Sequence, residues 1–307
     1  MKQGARVVVT GGTGLVGRRL THLLLERGYE VVVVGRGGGR SGTGAGVGAA
    51  AGAWAGVTLR SWNDPWWEGM DAVIHLAGAS VAQRWTQKNR SAIAGSRVDG
   101  TRAVVAGLKA TGGNKVLVSA SATGFYRSQE EVSTESSPRG TGFLSDVVRD
   151  WEAEAVKAQA DGNRVVMLRT GLVLAPEGGV LGTMGPVFKA GLGSALGSGR
   201  QWQSWIHIDD LCALYLKALE DAKMEGVYNA VAPEPVRQRD FARALAKALH
   251  RPFWLPAAPA AVLRLVLGDM AQMLLDSHRI VPERAVAEGF GFQFPQLDGA
   301  LRHLLSR

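Results

Sequence analysis

The chain has 307 residues, 46% of them hydrophobic, enough for one large α/β core with an attached lobe and against disorder of the whole. Its formal net charge of +8 comes from 35 basic and 27 acidic residues interspersed along the chain. That dispersion argues against nucleic acid as a partner and for a basic surface that suits an anionic cofactor. Cys212 is the only cysteine, which excludes a disulfide within the chain and argues against a cysteine-based metal site.

No apolar run reaches membrane-spanning length, and the first strand starts within a few residues of Met1. The expectation is a soluble, cytoplasmic protein without a membrane span, or one located in an organelle if this N-terminus is a processed one.

In chain order, the valine run Val7-Val8-Val9 predicts a buried strand that enters the turn Thr10-Gly11-Gly12-Thr13-Gly14-Leu15-Val16-Gly17. Leu15, Val16, Leu20, Leu23 and Leu24 then recur at helical spacing until Gly28. Glycines at 11, 14 and 17 allow a tight turn, close approach to a pyrophosphate, and helix–strand packing, so the stretch predicts a dinucleotide site. Val31 to Val34 form a second strand ending at Gly35-Arg36. An acidic residue here, about 20 residues past the glycines, would hold a ribose 2′-hydroxyl, whereas Arg36 favours the 2′-phosphate of NADP(H).

Residues 37–56 are mostly Gly and Ala and are expected to be a flexible surface insertion. Asp71 to Gly78 read as a strand running into a small-residue loop at Leu76, Ala77 and Gly78, where a cofactor can lie against backbone, with His75 packed in the strand end. A helix from about Gln87 to Ala110, a strand at Lys115 to Ser119, a helix from about Phe143 to Ala160 and a strand at Arg164 to Arg169 complete an alternation. It predicts an α/β Rossmann fold, a doubly wound parallel sheet, with a smaller, mainly helical C-terminal lobe. The stretch from Gly171 to Gly199 reads as irregular cleft loops, with Trp202 and Trp205 as cleft walls. Asp209 to about Ala222 is expected to be a helix, its acids near the N-terminus after His207, a pattern better explained by capping than by metal binding. Val227 to Asn229 read as a short strand, and helices are expected at Gln238 to Leu249, Ala257 to Leu267 and Asp269 to Asp276. The domain division expected is 1–170 for cofactor binding and 171–307 for a substrate lobe interleaved with the last strands, with a distinct C-terminal unit at about 250–307.

The glycine turn, His75-Leu76-Ala77-Gly78 and Ser119-Ala120-Ser121-Ala122-Thr123-Gly124-Phe125-Tyr126 occur in the order of the extended short-chain dehydrogenases/reductases. Ser96-Arg97, Arg149-Asp150-Trp151-Glu152, Arg169 to Leu174 and Trp205 to Leu211 narrow the resemblance to the atypical epimerase-family subgroup, family 39U. Arg279 to Arg284, Gly289-Phe290 and Phe294-Pro295 resemble that subgroup's small C-terminal domain of unknown function. The resemblance covers nearly the whole chain. It implies NADP(H) as cofactor, with Gly11, Thr13, Gly14, Leu15, Val16 and Gly17 at the pyrophosphate and Gly35 and Arg36 at the 2′-phosphate. It also implies Leu76, Ala77, Gly78 and Ser119 along the cofactor, Arg97 as a further charge beside it, and Val173 near the nicotinamide.

Carbonyl reduction needs a proton donor and a group that holds the oxygen. In the wider family a Tyr and a Lys four residues later act with a Ser. Ser121 matches the serine, but counting back from Glu152 puts Leu144 and Val148 where the Tyr and Lys belong. Tyr126 is the substitute acid to consider, without a lysine to lower its pKa from about 10. Two readings follow: an oxidoreductase or nucleotide-sugar-type epimerase with a degenerate site built on Ser121 and Tyr126, and a non-catalytic NADP(H)-binding sensor or assembly partner. The expected partners are a small-molecule substrate and either a protein partner or a second copy, with no metal.

Overall fold

The computed structural model describes residues 4–35 and 55–306. Arg36 and nearly all of the expected insertion at 37–56 lie outside the described residues.

Strand β1 (Arg6–Thr10) is a valine run with no exposed residue, as a strand covered on both faces requires. The glycine turn leads into α1 (Leu15–Glu26), and β2 (Glu30–Gly35), β3 (Val57–Ser61) and β4 (Ala72–His75) follow. Then come α2 (Gln87–Ala110), β5 (Val116–Ala122), β6 (Gln129–Ser133), α3 (Phe143–Val156) and β7 (Arg164–Thr170). Seven parallel strands form the central sheet, the last of them β11 (Gly226–Ala230), in the order β11-β7-β5-β4-β1-β2-β3. The order reverses between β1 and β4. A crevice therefore opens beyond their carboxyl ends, the place where doubly wound sheets bind ligands.

The glycine-rich stretch 171–199 is not wholly irregular. It contains β8 (Leu172–Ala175) and α4 (Gly179–Lys189), the latter carrying Pro186 and burying Leu181 and Phe188. Packing of those apolar residues overrides the poor helix propensity of its glycines. Further on lie β9 (Trp202–Gln203), β10 (Trp205–His207), α5 (Ile208–Glu220), β11 (Gly226–Ala230), β12 (Val236–Arg237) and α6 (Gln238–Ala248). The chain ends with α7 (Ala260–Leu267), α8 (Gln272–Leu275), β13 (His278–Ile280), α9 (Glu283–Ala287) and α10 (Leu297–Leu305). The segment expected as a helix from Asp269 to Asp276 is a 3-10 turn, Gly268–Ala271, followed by the single turn of α8.

Alternation along β1 divides the core: Val7 and Val9 pack with residues of α1, α5, α6 and α10, and Val8 with residues of α2 and α3. Cys212 is fully buried in α5, where burial pushes its thiol up to about 12. Asp210, also buried, accepts the backbone N–H groups of Gln293 (2.8 Å) and Phe294 (3.0 Å) and so ties the C-terminal segment to α5. Strand β13 pairs in parallel with β6, joining that segment to the loop that follows β5. Among the described residues no helix is long and apolar enough to cross a membrane.

Candidate functional site

The crevice is built around the glycine turn. Gly11 has a φ of +71°, and a Cβ there would lie 2.8 Å from the Ala77 nitrogen and the Leu76 carbonyl carbon. At Gly17 a Cβ would run into the Gly11 carbonyl oxygen and lie 2.6 Å from Gly12 Cα. Only glycine lets these three segments meet at this spacing. Helix α1 starts with no side-chain cap and no acid in its first turn, leaving its N-terminal N–H groups and partial positive charge for an anion. Thr13 and Gly14 are exposed at the rim of the turn, Gly35 ends β2 where among the described residues nothing would lie within 4 Å of a Cβ, and Leu15 packs against Gly178 beside β8, the strand that carries Val173. The structure thus brings together Gly11 to Gly17, Leu76 to Gly78 and the Val173 strand as one groove. Backbone that a Cβ would block and an uncapped helix start fit a dinucleotide pyrophosphate.

Arg97 stands next to this groove, its guanidinium against Gly78 and donating to the Ala79 and Ile93 carbonyls, both at 3.1 Å. It stacks over the Trp151 ring at 5.2 Å. Burial pushes its pKa down to about 10, and no carboxylate pairs with it among the described residues. Such a cation is suited to an anionic ligand group. Ser119 is buried and turns its hydroxyl to the Ala120 carbonyl (3.0 Å). His75 is fully buried with Nδ1 2.6 Å from Thr10 Oγ1, and burial depresses its pKa to about 4, so it is neutral.

Beyond Arg97 opens a cavity of about 490 Å³. Leu144 and Val148 line it from α3, with Phe143 and Val147, so two aliphatic side chains face the space where the family's acid and its lysine would be needed. Tyr126 lines it too, but its hydroxyl donates to Asn229 Oδ1 (2.7 Å) and accepts from Arg169 Nη1 (2.9 Å). Burial raises the phenol above its ordinary value, with the Arg169 charge opposing. Ser121 does not line the cavity. Its hydroxyl donates to Glu152 Oε1 at 2.5 Å, and the same carboxylate takes two bonds from Arg169, at 2.8 and 2.7 Å. Ser121, Tyr126, Glu152, Arg169 and Asn229 therefore form one buried network behind the cavity. Glu152 and Asn229 lie 77 residues apart in sequence, and no local pattern announces that they share it.

The two tryptophans separate. Trp202 lines the cavity between Arg237 (4.0 Å from its ring) and Arg279 (4.7 Å), whereas Trp205 is fully buried and donates to the Glu234 carbonyl, a core residue and not a wall. Arg97 lines the cavity as well, and among the wall residues that sequence patterns did not single out are Trp85 before α2, Gln272 and Met273 on α8, and His278 on β13. His207, Asp209 and His303 cluster elsewhere. His207 Nδ1 caps α5 by accepting the Asp209 N–H (3.0 Å), and its Nε2 meets His303 Nδ1 at 3.1 Å, so both ring nitrogens are engaged.

Residues 7–230 match the family model described as the NAD dependent epimerase/dehydratase family. The chain belongs to that family. Residues 258–304 match a domain of unknown function, DUF1731. A chloroplastic epimerase family protein, the SDR39U1 homolog of Arabidopsis thaliana, is 38% identical over 97% of this chain and 86% of its own length. Human epimerase family protein SDR39U1 is 35% identical over 98% of this chain and 100% of its own. A crystal structure of human SDR39U1, isoform 2, with NADPH superposes with a TM-score of 0.87 at 33% identity, covering 98% of this chain and 99% of that one.

Proposed function

We propose that this family member binds NADP(H) along the Gly11–Gly17 turn and acts as an atypical oxidoreductase or epimerase whose substrate occupies the cavity beyond Arg97. The observation that carries the reading is the groove itself, in which backbone closed to any Cβ at Gly11 and Gly17 adjoins an uncapped α1. The human relative crystallised with NADPH supports the same ligand, and Arg36 supports the phosphorylated form of the cofactor. When bound, NADPH supplies a hydride that can pass to a carbonyl carbon.

In this reading the chain's own contributions are modest. Tyr126 is the proton source at the cavity wall, with the Arg169 guanidinium favouring its deprotonated form once the proton has left. Ser121 acts through Glu152, fixing the carboxylate that orients Arg169. Leu144 and Val148 exclude water but move no proton.

A second reading, a non-catalytic NADP(H)-binding sensor or assembly partner, is favoured by one observation: the hydroxyls of Ser121 and Tyr126 are both engaged inside the protein, and nothing at Leu144 or Val148 replaces them. Both readings expect NADPH to bind more tightly than NADH in a fluorescence titration, and Arg36→Glu to erase that preference. Equal wild-type affinities would refute the cofactor assignment. Only the catalytic reading expects Tyr126→Phe to lower NADPH oxidation with a panel of aldehydes, ketones and sugar nucleotides. No oxidation by the wild type across that panel, with NADPH affinity intact, leaves the second reading.

A further inference from the structure

Helix α7 is at odds with its place in the fold. Apart from Arg264 it is made only of alanine, valine and leucine, yet none of its eight residues is buried. A helix apolar on nearly every face is otherwise found in a core or against a partner. Leu263 and Leu267 are half-buried on its inner side, whereas Val262, Leu265 and Val266 are 50%, 79% and 63% exposed, at the i, i+3, i+4 spacing that sets them on one face. Trp254, in the loop that leads to α7, is 70% exposed as well.

The charge around this face has one sign. From Arg239 to Leu267 the chain carries five basic residues and one acid. Arg239 and Arg243 of α6 share a hollow with Phe253 and Leu255, the two neighbours of Trp254. At the other end of α7, a Cβ on Gly268 would lie 3.6 Å from Arg84 Nε. The carboxylates nearby are engaged, Asp240 by Arg243 (3.3 Å) and Asp269 by Arg90 (2.6 Å). Arg84, Arg239, Arg251 and Arg264 are exposed, and among the described residues no carboxylate pairs with them.

A second copy of the chain suits this face poorly, because a two-fold interface sets a patch against itself and would here oppose two cationic surfaces. A nucleic acid would leave the valines and leucine unmatched, since bases stack on aromatic rings. Anionic charge above an apolar layer is what a bilayer of acidic lipids presents. We propose that α7 and Trp254 are a docking face by which the protein lies on an anionic membrane surface without spanning it. Val262, Leu265 and Val266 enter the acyl boundary, the Trp254 ring rests at the headgroups, and the unpaired arginines meet lipid phosphates.

Flotation of the intact protein with vesicles of equimolar phosphatidylglycerol and phosphatidylcholine, and with vesicles of phosphatidylcholine alone, tests this. The acidic vesicles are expected to bind at least about tenfold more tightly, and about 0.5 M sodium chloride to weaken them by a similar factor. Leu265→Asp is expected to cost at least about tenfold, and Arg239→Gln with Arg264→Gln about thirtyfold, or about fivefold for each arginine. Val156→Asp, an equivalent change at an exposed valine of α3, is expected to leave binding within about twofold. All these positions are exposed, so the urea midpoint is expected to stay level in every variant and to separate lost docking from lost folding. No binding to the acidic vesicles, equal binding to both kinds, or binding that survives Leu265→Asp overturns the proposal. So does a dimer in sedimentation that Leu265→Asp dissociates, which would make a second copy the occupant.

Discussion

Arg169→Met is expected to destabilise the protein by about 3–5 kcal/mol, because it removes the cation and leaves the Glu152 carboxylate buried with one remaining partner. The pair is bidentate, with Nε–Oε1 at 2.8 Å and Nη2–Oε2 at 2.7 Å, and its side chains are 5% and 11% exposed, so little solvent screens it. Methionine roughly matches the arginine stem, so the loss is electrostatic more than steric. After the substitution Glu152 keeps only the Ser121 hydroxyl, and Tyr126 loses one of its two partners. For a chain of 307 residues each kcal/mol corresponds to about 1.5 °C in Tm, so the expected drop is roughly 5–8 °C. Adding Glu152→Gln to Arg169→Met removes the unpaired charge and is expected to recover at least about half of the loss. Urea unfolding followed by tryptophan fluorescence measures both variants. A single-variant loss below about 1 kcal/mol, or a double variant less stable than the single, would refute the account of this network as a desolvated ion pair.

Gly17→Ala drives a Cβ into the Gly11–Gly12 backbone and is expected to weaken NADPH at least about tenfold while costing about 1–3 kcal/mol of stability; unchanged affinity in a titration would show that the turn does not hold the cofactor. Acid sensitivity follows from two buried histidines, His75 and His207, each held neutral with a pKa of about 4 in the fold against about 6.5 when unfolded. The unfolded chain binds more protons between these values, so stability is full above about pH 6.5 and falls by up to about 3 kcal/mol per histidine as pH drops to 4. Urea midpoints that stay level between pH 7 and pH 4.5 would contradict this.

What the sequence made legible was local. The valine run of β1, the glycine turn and the leucines of α1 follow one another within 20 residues, and periodicity alone places them on a sheet, a turn and a helix. Cys212 is buried because α5 is apolar on nearly every face. Trp205 misleads because a tryptophan beside a glycine-rich stretch looks like a cleft wall, while its burial depends on Glu234, 29 residues later. The 171–199 stretch misleads because glycine and proline argue against the helix that Leu181 and Phe188 stabilise by packing. Ser121 is legible as a motif, but the direction of its hydroxyl is set by Glu152, 31 residues away on another element. The cavity shows the same limit: its far wall comes from α8 and β13, which no local pattern ties to the loop after β5.

The β13–β6 pairing also sets an order of assembly. The segments Gly11 to Gly17, Leu76 to Gly78 and Val173 are all synthesised once Gly179 is made, whereas the cavity needs Trp202 to Ser204 and then Gln272 to His278, the latter roughly ninety residues further along the chain. The late-arriving strand lies along β6, whose backbone groups on that edge stay open to water until then, so the cavity is walled in only near the end of synthesis.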